Sequence, residues 1–160
     1  MPKPVAASPL KCAETATADI TDLVVVDASV LLAIPLADPQ ANKEYAMALL
    51  FAIDKGYGAP VLTQLCSHEI AAKLVRKVRG QTISAAAAHD FFSLLADISF
   101  QHLVDIRDFE VLFADALKLG CGSYDAAYLR TAIDNGAQLA TLDKKLIPHL
   151  ISNGVQRWEP

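Results

Sequence analysis

No apolar run in this chain reaches the roughly 18 to 20 residues that a membrane-spanning helix needs, so no membrane segment is expected. Cysteine is scarce: Cys12, Cys66 and Cys121 are odd in number, widely spaced and form no CxxC pair. Neither a thiolate zinc site nor a disulfide framework is therefore indicated, and a reducing cytoplasm is the expected setting. Glycine-rich phosphate loops are missing, since neither GxxxxGKS/T nor GxGxxG occurs, which excludes a nucleotide cradle of that kind. A GxSxG elbow for an acyl-transfer serine is missing too. His68, His89, His102 and His149 show no ligand spacing, and His68 is expected on a different helix face from its neighbour Glu69. Tyr45, Tyr57, Tyr124 and Tyr128 are scattered, so no base-stacking platform is expected. Positive charge is in deficit: the net charge of −4 argues against non-specific binding to nucleic acid, unless several of the acids are bound to metal in use.

What remains is a chain of 160 residues, 53% apolar and 20% charged, which suits one globular domain with a real core. Residues 1–22 are rich in Ala, Pro and Thr and lack both apolar periodicity and the apolar centre of a signal peptide. They are expected to be a mobile tail or an upstream start, with a single domain over residues 23–160.

Leu23 to Val26 is a continuous apolar run, as in a strand buried on both faces. Ser29 is expected to cap a short helix from Val30 to Ile34, which stops before Pro35. Gln40 to Lys55 carries apolar residues at helical spacing and ends at Gly56. Ala59 to Leu62 reads as a strand, followed by a helix from Thr63 or Gln64 to Arg79 that Gly80 ends. Ser84 caps a helix to about Ala96, with Phe91, Leu94 and Leu95 as its core face. Gln101 to Ile106 suggests a third strand, and Asp108 a helix up to Leu119 that Gly120 ends. Ser123 is expected to cap Tyr124 to Asn135, ended by Gly136, before a fourth strand from Ala137 to Leu142. Lys144 to Ile151 is read as a short helix distorted by Pro148, and Val155 to Trp158 as a fifth, edge strand. Strands separated by helices predict a three-layer α/β/α fold around a mainly parallel sheet of four to five strands.

Ligands in such sheets collect at the carboxyl ends of the strands, and Asp27 and Asp143 sit at two of those ends. Each has a competing role as a helix cap, although Ser29 can take that task from Asp27. Asp125 shares a helix face with Leu129, Ala132 and Ile133, and an acid on a core-facing side costs roughly several kcal/mol unless paired or metal-bound. Its competing role, a first-turn acid complementing the helix dipole, does not explain that face. Glu69 falls on the polar side of its helix with Lys73, Arg76 and Lys77, and a solvated Glu69–Lys73 pair is the plain alternative. The other reading has the acid on a metal while Lys73, Arg76, Lys77 and Arg79 follow a phosphate backbone. Four carboxylates in one dry crevice cannot all stay ionised without a counter-charge, and oxygen donors suit Mg²⁺ or Mn²⁺.

At four places the chain resembles the PIN domain family, most closely its VapC-type toxins. The segments are Val25-Val26-Asp27-Ala28-Ser29-Val30, Ser67-His68-Glu69-Ile70-Ala71, Ser123-Tyr124-Asp125-Ala126-Ala127-Tyr128-Leu129 and Leu139-Ala140-Thr141-Leu142-Asp143. The resemblance implies a single-strand-selective endoribonuclease dependent on one or two Mg²⁺ or Mn²⁺ ions. Asp27, Glu69, Asp125 and Asp143 would be its catalytic, metal-binding acids, with Ser29 and Thr141 as supporting hydroxyls. It also implies an RNA substrate, a small antitoxin protein as partner, and a homodimer. Many VapC-like proteins carry an Asn where this chain has Ala72, and a minimal toxin has no counterpart to residues 1–22.

Two other classes compete. A non-catalytic PIN-like module that binds RNA or protein would keep the fold without acid-dependent Mn²⁺ affinity. An aspartyl-phosphate protein needs a second acid next to, or two residues after, the strand-end Asp, where this chain has Ala28 and Ser29.

Overall fold

A computed structural model describes residues 23–104 and 107–160. The tail expected over residues 1–22 lies outside the described residues, as do the last two positions of the expected third strand.

The chain alternates strands and helices. β1 (Leu23–Val26) leads to α1 (Ala28–Leu32) and α2 (Gln40–Asp54), and β2 (Ala59–Thr63) to α3 (Gln64–Arg79) and α4 (Ala85–Ala96). β3 (Gln101–Leu103) is followed by α5 (Phe109–Leu119) and α6 (Ser123–Asn135), and β4 (Gln138–Ala140) by α7 (Ile147–Ser152). Every strand pairing is parallel, in the order β3-β2-β1-β4. Helices cover both faces, giving a three-layer α/β/α fold. Val24, Val25 and Val26 are all buried, as a central strand beneath helices on both sides requires. Leu31, Leu49, Leu74, Leu129, Leu139 and Leu150 complete the same core from six further elements.

The chain builds outward from β1 to β2 and β3, then crosses back to lay β4 on the other side of β1. That reversal is where a doubly wound sheet opens a crevice at its carboxyl edge. Val26 pairs with Ala140, and the Asp27 amide donates to the Ala140 carbonyl at 3.0 Å. The residues after both strands, Asp27 and Thr141, are thereby set side by side.

Several local expectations are corrected. The first helix starts at Ala28 with Asp27 as its cap, because the Ser29 hydroxyl is committed to other bonds. α6 begins at Ser123 after Gly122, without a side-chain cap. In α4, Phe91 is buried and Leu95 packs against the core, but Leu94 is exposed. Pro148 lies in the first turn of α7, where its missing amide is harmless, and does not distort the helix. The fifth strand reduces to a single bridge from Leu139 to Arg157. That segment is anchored instead by its side chains. Trp158 stacks edge-on against Tyr45 at 5.4 Å and its carbonyl accepts from the Tyr45 hydroxyl at 2.6 Å. Arg157 donates twice to the Thr141 carbonyl, at 3.1 Å each.

Candidate functional site: an acidic groove at the sheet edge

Among the described residues Asp27 is the best-held carboxylate. It is 6% exposed, and its Oδ2 accepts from the Ser29 and Thr141 hydroxyls, each at 2.6 Å. Its Oδ1 accepts the Ser29 amide at 3.3 Å, which caps α1. Capping and a place in the groove are therefore not alternatives, since Asp27 lines the groove while its Oδ1 caps α1. Both hydroxyls reach further: Ser29 accepts the Leu142 amide at 3.1 Å and Thr141 the Asp143 amide at 3.0 Å. These bonds tie the turn after β4 to the turn after β1. Asp143 accepts the Lys145 amide at 2.7 Å, an Asx turn that opens the approach to α7.

α3 brings in Glu69. Thr63 caps this helix by accepting the Cys66 amide at 3.1 Å, and Gly80 closes it. Glu69 is half-buried and accepts the Tyr128 hydroxyl at 2.5 Å, so its partner lies across on α6 and is not Lys73. α6 also carries Asp125, one turn before Tyr128 on the same face. Asp125 is half-buried beside the fully buried Leu129 and Ala132, and Ile133 is half-buried.

All four acids line one open groove of about 560 Å³. Ser29 lines it as well; Thr141 stands behind Asp27, fully buried. Of the four cations expected to follow a phosphate backbone, Lys73 and Arg76 line the groove, whereas Lys77 and Arg79 do not. Three further polar side chains lie on the wall without having been expected there: His68, Tyr124 and Tyr128. Helical spacing carried a signal for two of them, since Tyr128 follows Asp125 by three positions and His68 precedes Ala72 and Arg76 by four and eight. His68 and Glu69, expected on different faces of α3, both line the groove, which is wide enough to take two adjacent faces of the helix.

The acids burden one another. Burial pushes the Asp27 carboxyl above its ordinary value, the hydroxyls of Ser29 and Thr141 pull against that, and Asp143 adds to it. Glu69 is raised by burial and by Asp27 and Asp125, with the Tyr128 hydroxyl opposing. Asp125 is raised by burial, then by Asp143 and Asp27, with His149 and Lys145 opposing. Burial also lifts the Tyr128 hydroxyl, and it raises the Cys66 thiol behind it to about 12. Tyr128 therefore stays protonated and acts as a donor to Glu69. Such a groove lacks positive charge at its centre. Hard carboxylate oxygens under mutual repulsion fit a divalent cation in donor type and charge. In this structure no three His, Cys, Asp or Glu among the described residues stand close enough together to hold an ion jointly.

A parallel α/β sheet with an acidic groove at its topological switch sets this chain apart from the glycine-loop nucleotide-binding folds. Its family is specific: the PIN domain profile matches residues 24–149, and the chain belongs to the PIN domain family. PIN domains are in general nucleases. The fold is similar to the crystal structure of PAE2754 from Pyrobaculum aerophilum, with a TM-score of 0.61 and 22% identity over 89% of this chain and 88% of that one. No curated protein matches the sequence. Among the described residues no helix is long and apolar enough to cross a membrane.

Proposed function

We propose that the chain is a Mg²⁺- or Mn²⁺-dependent endoribonuclease whose active site is the acidic groove. The observation that carries this reading is the convergence of Asp27, Glu69, Asp125 and Asp143 on one groove at the β1–β4 edge. These four acids would hold one or two ions. When bound, a divalent cation supplies Lewis acidity and neutralises charge on a phosphodiester. The chain's own part is positioning. Ser29 and Thr141 fix the Asp27 carboxylate, and Tyr128 fixes Glu69. Lys73 and Arg76 on the groove wall attract the RNA phosphates. No side chain needs to act as a nucleophile.

The same reading includes a homodimeric, cytoplasmic toxin silenced by a small antitoxin protein that covers the groove. Support for it is the resemblance of the four acidic segments. A second reading, a non-catalytic PIN module, is favoured by the absence, among the described residues, of three ligands already close together. Activity separates the two. RNA cleavage should require added Mg²⁺ or Mn²⁺, stop in excess EDTA, and fall at least about 100-fold in Asp125→Asn, roughly the loss of a few kcal/mol of transition-state stabilisation. Cleavage that persists undiminished in EDTA, or in Asp125→Asn, rules the metal site out.

A further inference from the structure

Beside the acidic groove lies a second cavity of about 310 Å³, at the small end of the range for ligand pockets. Leu65, His68 and Tyr124 line both spaces, so they form the partition between them. The walls differ in character. The groove carries four acids and two cations, whereas the second cavity is mainly apolar, with Leu112 on its wall and Gln64, Arg107 and Ser123 as polar groups. Arg107 is held there by Asp115 at 3.4 Å and by the Thr131 hydroxyl at 3.5 Å. Tyr124, on the partition, is 61% exposed, although it neighbours the half-buried Asp125 on α6.

Resting on the ribonuclease reading, we infer that this second cavity is a nucleobase subsite. It would receive one base of the single strand whose phosphate lies in the groove. A nucleotide is divided in the same way as the two spaces. Its phosphate is charged and suits the groove, while its base has apolar faces and polar edges. Stacking on an aromatic ring tolerates any base because every base has a π-face. Tyr124 and His68 offer rings at the point where a base would leave the backbone. Gln64 can both donate and accept at a base edge, and Arg107 can donate. The volume has room for a base, and a subsite joined to the groove at one place would act at one position fixed relative to the scissile bond. Continuity with the groove through three shared residues favours a nucleotide over an unconnected small molecule.

The test removes bases and the ring in combination. Short single-stranded RNAs with one abasic position, moved stepwise along the strand, are cleaved by wild type, Tyr124→Ala and Tyr124→Phe in Mn²⁺. In wild type, one position near the scissile bond should lower kcat/KM about 5- to 150-fold, the range that one base–aromatic stack supports. Tyr124→Ala should lose a similar factor on intact RNA and nothing more when that base is removed, since coupled partners are not additive. Tyr124→Phe should keep the wild-type pattern. The subsite is wrong if the two losses multiply, or if no position is sensitive while Asp125→Asn still abolishes cleavage; the ribonuclease reading then stands. If wild type cleaves none of these RNAs, both readings fall together.

Discussion

Asp27 carries opposing demands on a single carboxylate. Burial disfavours its charge, while two hydroxyls at 2.6 Å favour it, and the balance leaves its proton held more tightly than in the unfolded chain. Glu69 and Asp125 are shifted in the same direction. The consequence has a definite sign. A folded-state value above the unfolded one means that the native chain binds more protons in the window between the two. The contribution of these three acids to stability is therefore fully present below the unfolded carboxylate range near 4 and is lost as pH rises through the folded values. With metal removed, thermal melts should show these three acids lowering the melting temperature as pH rises towards neutrality. Asp27→Asn should flatten that slope. An unchanged slope in the variant means that Asp27 is not under the stated burden. Thr141 offers a second check at this scale, because it is fully buried and serves Asp27 and the Asp143 amide at once. Thr141→Val keeps the shape but leaves both partners short of a bond, which should cost about 1–3 kcal/mol in denaturant melts. A loss below a few tenths of a kcal/mol counts against the hydroxyl's role.

At the scale of elements, the join between α3 and α6 is the hydrogen bond from Tyr128 to Glu69. Tyr128 is 2% exposed, so its ring is core, and its hydroxyl is the only part that distinguishes it from Phe. Tyr128→Phe should fold, yet release Glu69 from its orientation. Outer partners of metal-binding groups typically change metal affinity about 10- to 100-fold, so Mn²⁺ binding by calorimetry should weaken by at least about 10-fold. Equal affinity in the variant shows that Glu69 needs no such support. This join was invisible in the sequence because its partners are 59 positions apart. Local signals were legible where the competing interactions are also local. Ser84 and Asp108 cap their helices as expected, and Gly120 and Gly136 end theirs in the left-handed region that glycine enters freely. Ser29 does not cap its helix, and one of the reasons is distant in sequence. Its hydroxyl donates to Asp27 two positions before it and accepts the Leu142 amide 113 positions away, and nothing local announces the second bond. The short strands β3 and β4 likewise end where the sheet stops offering partners, not where β-branched residues run out.

Across the whole molecule, the site was legible as far as topology dictates it. Parallel strands place their carboxyl ends on one edge, so two acids at strand ends had to be near each other. Asp125 and Glu69 reach the same groove because α6 and α3 lie beside that edge. How closely the four approach is a matter of side-chain conformation, which periodicity does not encode. The unrelieved repulsion among them leads to the last expectation. A ligand that binds only the folded chain raises stability with its concentration, by about 2.7 kcal/mol at 100 times its Kd. For a domain of this size that corresponds to a rise in melting temperature of roughly 5–10 °C. Mn²⁺ should produce it in wild type at neutral pH, and the rise should shrink on acidification as the acids take up protons instead. Asp125→Asn should lose most of it, since the variant removes one ligand and part of the charge that attracts the ion. The comparison needs no RNA and no turnover, so it tests the cation separately from the nuclease chemistry. Equal stabilisation of wild type and Asp125→Asn would place the ion elsewhere on the surface and leave the groove's repulsion without its partner.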